Sequence, residues 1–215
     1  MTAEARLREE ICRFGQSLFD RGLTPGASGN ISARTEDGGL LVTPTGASLG
    51  ELDPARLSRF DAAGQFLGGD RPTKEMALHQ AFYETRHGSG AVVHLHSCHA
   101  VAWGMMPDVD PENLLPPLTA YSIMRLGKVQ LLPFFLPGDA AMGTALRGLA
   151  GKRSAVVLAN HGPVVAGKEL AATVQAMEEL EETAKLALLT RGHGVIGLTP
   201  EQVQSVVTRF DVEWD

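Results

Sequence analysis

Helical spacing of apolar residues is clearest in two segments. Residues 3–21 carry apolar side chains every three or four positions, and residues 168–190 carry the longest such stripe. The long stripe comprises Leu170, Val174, Met177, Leu180, Ala184 and Leu188. An acidic run at 178–182 interrupts it and predicts a solvated face. Thr199, followed by Pro200 and Gln202, has the pattern of a capping box and predicts a last helix, which docks on the domain or on a neighbouring subunit.

Short apolar runs bounded by glycine or polar residues predict strands. Residues 31–34 and 40–43 flank Gly38-Gly39 and predict a hairpin. Further strands are predicted in a hairpin at 57–67 and at 91–95, 129–135, 154–159 and 163–167. Helices are predicted between them at 71–86, 99–103 and 119–126, and from the turn at 137–139 to about 148. The chain is therefore expected to be of mixed α/β type.

Histidines lie at the ends of two predicted strands. His94 and His96 are two positions apart in the run Ala91-Val92-Val93-His94-Leu95-His96, so their side chains are expected on one face. His161 follows the strand at 154–159. Three neutral imidazoles at strand ends suit zinc or a similar divalent ion. The alternative is that each histidine is a hydrogen-bonded structural residue, and the spacing alone leaves both interpretations open.

Two small polar loops follow the first helix and the second strand. Residues 24–30 and 44–48 are rich in Gly, Ser, Thr and Asn, which offer hydroxyls and backbone N–H groups at close range. Each loop alone is an ordinary turn. Because they leave adjacent predicted strands, a phosphate site is the second interpretation.

A further anion site is predicted where the helix at 71–86 begins. Thr73 is predicted as its N-cap, and Lys74 and Glu75 as part of its first turn. The alternative is that these residues only cap and charge the helix. His79 lies on the same helix face as Glu75, as a structural residue or as a partner of the acid.

Composition limits the functional classes. The 215 residues suffice for one domain, predicted over 1–215, and 44% of them are hydrophobic. A net charge of −6 argues against a nucleic-acid surface, although an anionic small substrate stays possible in a local pocket. No apolar run is long enough to span a membrane, and no signal-peptide core precedes the first helix. The two cysteines are too few for a disulfide framework. A cytoplasmic protein is expected.

Several of these motifs occur together in the order found in one family. The chain resembles the class II sugar-phosphate aldolases, the group that includes fuculose-phosphate aldolase and ribulose-phosphate 4-epimerase. The resemblance extends from the first helix to about residue 190. The motifs that carry it are Gly29-Asn30-Ile31-Ser32, Thr43-Pro44-Thr45-Gly46, Thr73-Lys74-Glu75, His94-Leu95-His96 and Asn160-His161-Gly162.

The resemblance implies a fold, an assembly and a set of roles. The fold would be a single three-layer α/β/α domain around a mostly antiparallel sheet, assembled as a homotetramer with active sites at subunit interfaces. The implied metal ligands are His94, His96, His161 and Glu75, with Zn²⁺, Mn²⁺ or Co²⁺ as the ion. Glu75 would also act as the acid/base. The implied phosphate-binding residues are Gly29, Asn30, Thr45, Gly46, Thr73 and Lys74.

One departure from the aldolase pattern concerns Lys74. The aldolases have two small hydroxyl residues before the catalytic acid, whereas here Lys74 follows Thr73. Thr-Lys-Glu together with Pro137-Gly138-Asp139 looks more like the 3-oxo-tetronate 4-phosphate decarboxylase branch of the family. The expected reaction is then metal-dependent loss of CO2 through an enediolate to give dihydroxyacetone phosphate. The alternative is aldol cleavage of a fuculose- or rhamnulose-phosphate type of ketose phosphate.

Two further expectations depend on the resemblance. Tyr121 is similar in position to the family's tyrosine and is a candidate proton donor, acting within its own chain or on a neighbouring subunit. Adducin head domains have the same fold without the metal histidines and serve as scaffolds. The presence of His94, His96 and His161 with Glu75 argues against that non-enzymatic role.

Overall fold

The computed structural model describes residues 1–214, so Asp215, the last residue of the predicted domain, lies outside the described part. Within residues 1–214, seven α-helices surround one eight-stranded sheet. The strands are β1 Asn30–Arg34, β2 Leu40–Val42, β3 Ser58–Phe60, β4 Phe66–Gly68, β5 Ala91–His94, β6 Val129–Leu132, β7 Ala155–Leu158 and β8 Gly162–Gly167. The helices are α1 Ala3–Asp20, α2 Met76–Thr85, α3 Cys98–Gly104, α4 Ala120–Leu126, α5 Ala141–Gly148, α6 Leu170–Thr190 and α7 Pro200–Phe210.

The sheet is mostly antiparallel, as expected. Its strand order is β4-β3-β2-β1-β5-β8-β7-β6, and among the described strands the β6–β7 pair is the parallel one. The register places Asn30 opposite His94 and His94 opposite Val164. The start of β1, the end of β5 and the start of β8 therefore meet at one end of the sheet.

Helices cover both faces of this sheet. Successive strand residues point to opposite faces, so Val93 and Val157 pack under α1, α3 and α6, whereas Val92 and Val156 pack under α2 and α5. All four valines are fully buried. The expected three-layer α/β/α arrangement is confirmed.

The start of α2 differs from the prediction. The helix begins at Met76 rather than near residue 71, and Glu75 rather than Thr73 occupies the N-cap position. The reason is that the backbone before Glu75 is extended and pairs with the end of the β2 segment. Thr45 N–H donates to the carbonyl oxygen of Arg71, and Thr73 N–H donates to that of Thr43.

The end of β6 and the start of α7 can also be compared with the predictions from the sequence. β6 ends at Leu132 instead of residue 135, since Pro133 has no N–H for the ladder. The predicted capping box is confirmed: Thr199 and Gln202 exchange hydrogen bonds between side chain and backbone, and α7 lies against α4. Across residues 1–214, no helix combines the length and the apolar character that crossing a membrane requires.

A candidate metal and phosphate site

Four side chains from three parts of the fold converge at the end of β5. His94 ends that strand, His96 follows two residues later, and His161 lies in the tight turn between β7 and β8. Asn160, just before His161, has a φ of 57° and makes this turn possible. Glu75 approaches from the N-terminus of α2 and completes the group.

The ligand atoms of Glu75, His94, His96 and His161 all lie within 4.8 Å of one another. Glu75 Oε1 is 3.1 Å from His161 Nε2, and Glu75 Oε2 is 3.3 Å from His94 Nε2. The Nε2 atoms of His96 and His161 are 3.1 Å apart. The predicted grouping of the three histidines with Glu75 is therefore present, while their role as ligands stays a prediction.

The hydrogen bonds of His94 define its tautomer. Its Nδ1 lies 2.9 Å from the carbonyl oxygen of Pro163, an acceptor, so Nδ1 carries the proton. Its Nε2 then points a lone pair at Glu75. Although this atom is buried, no hydrogen-bond partner for it exists among residues 1–214. A lone pair facing a carboxylate oxygen is stable when a cation lies between them.

Charge states in the group also fit a divalent cation. Burial lowers the pKa of His94 to about 3 and also lowers that of His96, so both imidazoles are neutral at pH 7. Burial by itself would raise the pKa of Glu75, but contacts with His161, His94 and Asn30 outweigh it and hold the pKa well below its usual range. Neutral imidazoles and one carboxylate are a donor set that divalent transition metals accept.

The segments predicted to bind phosphate line one cleft beside this group. The cleft is bordered by Gly29, Asn30, Thr45, Gly46, Thr73, Lys74, Glu75, His96 and His161. The pairing of residues 43–45 with 71–73 brings two of the predicted phosphate segments side by side. The same pairing occupies the N–H groups of Thr45 and Thr73. The Thr73 hydroxyl oxygen accepts from the Glu75 N–H at 3.2 Å, so its proton is left to donate to a phosphate, as is the hydroxyl of Thr45.

Two glycines shape this cleft. Gly46 has a φ of +74°, and a Cβ there would meet no atom within 4 Å, so the loop is open to the cleft. Gly29 has a φ of +80°, and a Cβ there would lie 3.0 Å from the carbonyl oxygen of His94. Gly29 thus allows the loop before β1 to pack against the end of β5. The part of either glycine in phosphate binding stays a prediction.

Lys74 and Tyr121 have different positions relative to the cleft. Lys74 is exposed at its border, where a Cβ at Gly138 would lie 3.3 Å from the Lys74 Cβ. Tyr121 lies on α4, is 60% exposed, and is not among the described residues that line the cleft. Within one chain, the structure does not bring Tyr121 to the site.

Sequence reasoning missed the role of Glu181. The acidic run was predicted to be a solvated face, but Glu181 is only 8% exposed and binds the N-terminus of α3, just after His96. Its position offered a signal, since it is four residues after Met177 and three before Ala184 on the buried stripe. That part of the prediction is wrong.

Asn30 and His79 also have contacts that the sequence did not reveal. Asn30 was predicted to bind phosphate, yet its side-chain amide is buried between Glu75 and His79. The backbone N–H of His79 donates to the carbonyl oxygen of Glu75 at 3.4 Å, whereas between their side chains lies the Asn30 amide. Whether Asn30 also contacts a phosphate stays a prediction.

Comparison with known proteins agrees with this architecture. A family model described as the class II aldolase and adducin N-terminal domain matches residues 9–188, and the chain belongs to this family. A 3-oxo-tetronate 4-phosphate decarboxylase from Pectobacterium atrosepticum is 43% identical over 203 residues, which cover 94% of this chain and 93% of that protein.

A solved structure and a more distant relative also match this chain over most of its length. The crystal structure of YgbL from Escherichia coli matches with a TM-score of 0.93 at 42% identity and covers 95% of this chain and 99% of that one. An L-fuculose phosphate aldolase from Methanococcus maripaludis is 32% identical over 82% of this chain and 92% of the aldolase. The family resemblance noted from the motifs is thereby confirmed.

Proposed function

We propose that this protein catalyses the decarboxylation of a 3-oxo-tetronate 4-phosphate to dihydroxyacetone phosphate and CO2, in the catabolism of four-carbon sugar acids. The observation that carries the proposal is the convergence of Glu75, His94, His96 and His161 beside a cleft lined by the phosphate-type loops. Identity of 43% over nearly the whole length of a decarboxylase supports a carbon–carbon lyase of this branch.

The proposed ligand set is His94, His96, His161 and Glu75, with Zn²⁺, or alternatively Mn²⁺ or Co²⁺, as the ion. When bound, such an ion supplies a Lewis acid that favours negative charge on the substrate carbonyl oxygen. The remaining chemistry is assigned to the protein. The hydroxyls of Thr45 and Thr73 and the open loop at Gly46 hold the phosphate and thereby fix the orientation of the reacting carbons.

The reaction balances with one proton from the protein or solvent. The bond between C1 and C2 breaks, CO2 leaves, and the electron pair passes through C2 to the oxygen on C3. The resulting enediolate takes a proton at C2 to give dihydroxyacetone phosphate. We assign Glu75, which is ionised in the resting site, as the group that takes up this proton from solvent in the cleft and passes it to C2, because its carboxylate lies at the junction of the histidine group and the cleft.

Lys74 is the proposed difference between decarboxylase and aldolase. It is an exposed cation at the border of the cleft, next to Glu75 in sequence. Its ammonium group would bind the substrate carboxylate before CO2 leaves, or strengthen the binding of the phosphate.

A homotetramer with active sites at subunit interfaces is proposed together with a role for Tyr121. Tyr121 is remote from its own cleft and 60% exposed, so it is available to a neighbouring subunit as a proton donor. Wild-type kinetics in Tyr121→Phe would contradict this role. A cytoplasmic location stays a prediction.

The experiment that tests the function follows both products at once. Zinc-loaded protein is incubated with 3-oxo-tetronate 4-phosphate, and CO2 and dihydroxyacetone phosphate are quantified. Equimolar release, lost in Glu75→Gln and in His94→Ala, is expected. The absence of CO2, with cleavage of fuculose or ribulose phosphates instead, would place the protein among the aldolases. Protein that cannot be loaded with metal and turns over neither substrate would favour a scaffold.

A further inference from the structure

A chain of buried polar side chains leads from the interior of the domain to Glu75. Asn30 Nδ2 lies 2.7 Å from Glu75 Oε2, and Asn30 Oδ1 lies 2.5 Å from His79 Nε2. On the other side of the ring, His79 Nδ1 lies 2.7 Å from the Ser32 hydroxyl. That hydroxyl is 2.9 Å from the Tyr83 hydroxyl. All five residues are less than 9% exposed, and His79 and Ser32 are fully buried.

The direction of every hydrogen bond in this chain follows from the carboxylate. An ionised Glu75 only accepts, so Asn30 must present its NH2 group to Oε2 and its carbonyl oxygen to His79. His79 therefore donates from Nε2–H and accepts at Nδ1. Ser32 then donates to Nδ1, which leaves its oxygen to accept from the Tyr83 hydroxyl. Each donor points towards Glu75.

His79 is suited to fix this direction. Burial lowers the pKa of His79 to about 4, so the ring is neutral at pH 7 and carries one proton, with one nitrogen donating and the other accepting. A flip of the Asn30 amide would place its oxygen against Glu75 and its NH2 against the His79 N–H. Both contacts would be repulsive. A buried group without its partner is costly, so the ring and the amide hold each other in one orientation.

The far end of the chain is anchored in the sheet and in α2. Ser32 belongs to β1, and Tyr83 is one turn after His79 on α2. The Arg34 guanidinium lies 4.6 Å from the centre of the Tyr83 ring and covers it. β1 and α2 are thereby joined through Ser32, His79 and Tyr83, which are not among the described residues that line the cleft.

We propose that His79 is a positioning residue: it locks the Asn30 amide with its nitrogen on Glu75 Oε2, so that Oε1 is the oxygen that exchanges the proton with substrate. The inference rests on the proposed role of Glu75 for its catalytic part. The orientation of the chain itself does not depend on that role. Oε1 is the oxygen nearest His161, at 3.1 Å.

Two substitutions at His79 separate positioning from packing. In His79→Gln, the side-chain amide nitrogen can replace Nε2–H and still donate to Asn30. In His79→Asn, the shorter side chain can still accept from Ser32 but cannot reach Asn30. We expect His79→Asn to lower kcat by about tenfold to a hundredfold with KM within about twofold, and His79→Gln to stay within about threefold of wild type.

Phe82→Leu is the matched control for loosening of α2. Phe82 is buried on the same helix and packs in the apolar layer under α5, apart from the polar chain. Its substitution is expected to lower the melting temperature and leave kcat within about twofold. If Phe82→Leu lowers kcat as much as His79→Asn, or if the Gln and Asn variants are equally impaired, positioning by His79 is wrong.

A double-mutant cycle tests whether His79 acts through Asn30. In an Asn30→Ala background, His79→Asn should change kcat by less than about twofold, because the contact that it breaks is already absent. Full additivity of the two effects would overturn the proposal.

A spectroscopic measurement is independent of the reaction. Long-range ¹H–¹⁵N correlation on wild-type protein at pH 7 should show His79 neutral with the proton on Nε2. A proton on Nδ1 would reverse the direction of these hydrogen bonds and overturn the proposal. If the wild type releases no CO2 and the Nε2–H tautomer is found, the proposed function fails while the locked orientation of Asn30 stands.

Discussion

Glu181, on α6, accepts hydrogen bonds at Oε1 from both the backbone N–H and the ring Nδ1–H of His99, at 2.9 and 2.7 Å. Its other oxygen accepts the N–H of Ala100 at 2.8 Å. A side chain of the longest helix therefore accepts hydrogen bonds from two backbone N–H groups in the first turn of α3, which have no partner within that helix. Ser97 occupies the N-cap position of α3 but makes no capping hydrogen bond with its side chain. Because α3 starts two residues after His96, this contact also fixes the segment that carries a proposed metal ligand.

Removal of the Glu181 carboxylate should weaken both the fold and the metal group. We expect Glu181→Ala to lower the free energy of unfolding by about 1 to 3 kcal/mol, since it leaves two backbone donors and an imidazole without their acceptor. Urea denaturation measures this change. Metal retention during dialysis should fall as well, because His96 loses its support.

The neighbouring residue Glu182 provides the control. Its side chain is 71% exposed and contacts Lys185, so Glu182→Ala should change the free energy of unfolding by less than about 0.5 kcal/mol. Equal effects of the two substitutions would show that Glu181 does not support α3 in the way described.

Metal binding should stabilise the protein, and each chain has one histidine group to bind an ion. We expect one divalent ion per chain, and a rise in unfolding free energy of about 3 kcal/mol when free metal is a hundred times the Kd. His94→Ala should abolish both. His87 is exposed and remote from the group, so His87→Ala should bind metal as wild type does. Unchanged metal content in His94→Ala would contradict the proposed ligand set.

Stability should depend on pH through His79. Its pKa is about 4 in the folded protein and near the ordinary histidine value of 6.5 when unfolded. Between these values the unfolded chain binds a proton that the folded chain does not, so stability is lost as the pH falls from 6.5 towards 4.

The comparison with His79→Gln isolates this contribution. Both proteins are freed of metal with EDTA, which leaves His94 and His96 common to both. From pH 7 to pH 4.5 the wild type should lose about 2 to 3 kcal/mol more unfolding free energy than His79→Gln. Parallel pH curves would mean that His79 is not held neutral by burial.

Lys74 is tested by removal and by retention of its charge. We expect Lys74→Ala to lower kcat/KM for the decarboxylation by about tenfold or more, since a charge-assisted contact to the substrate carboxylate or phosphate is lost. Lys74→Arg keeps the cation and should retain most of the activity. Unchanged substrate binding and turnover in Lys74→Ala would refute the assignment.

Local patterns predicted those parts of the molecule that depend on local chemistry. The helix at 3–21 and the Thr199 capping box agree with the structure because apolar spacing and capping involve residues close in sequence. The grouping of His94, His96 and His161 could be anticipated because each histidine ends or follows an apolar strand.

The remaining features depend on contacts between distant segments. Thr73 has the features of an N-cap, but its backbone pairs with Thr43 and the helix starts later. Asn30 has the features of a phosphate ligand, and only the fold reveals that its amide is held by Glu75 and His79. Such pairings span more than twenty-five residues, and no local pattern encodes them.

The most direct test of the account compares two substrates in one preparation of metal-loaded protein. Measured values of kcat/KM for 3-oxo-tetronate 4-phosphate and for L-fuculose 1-phosphate should differ by about a hundredfold or more in favour of the first, because only that substrate carries the carboxylate that leaves as CO2. Equal values, or a preference for the ketose phosphate, would contradict the decarboxylase assignment.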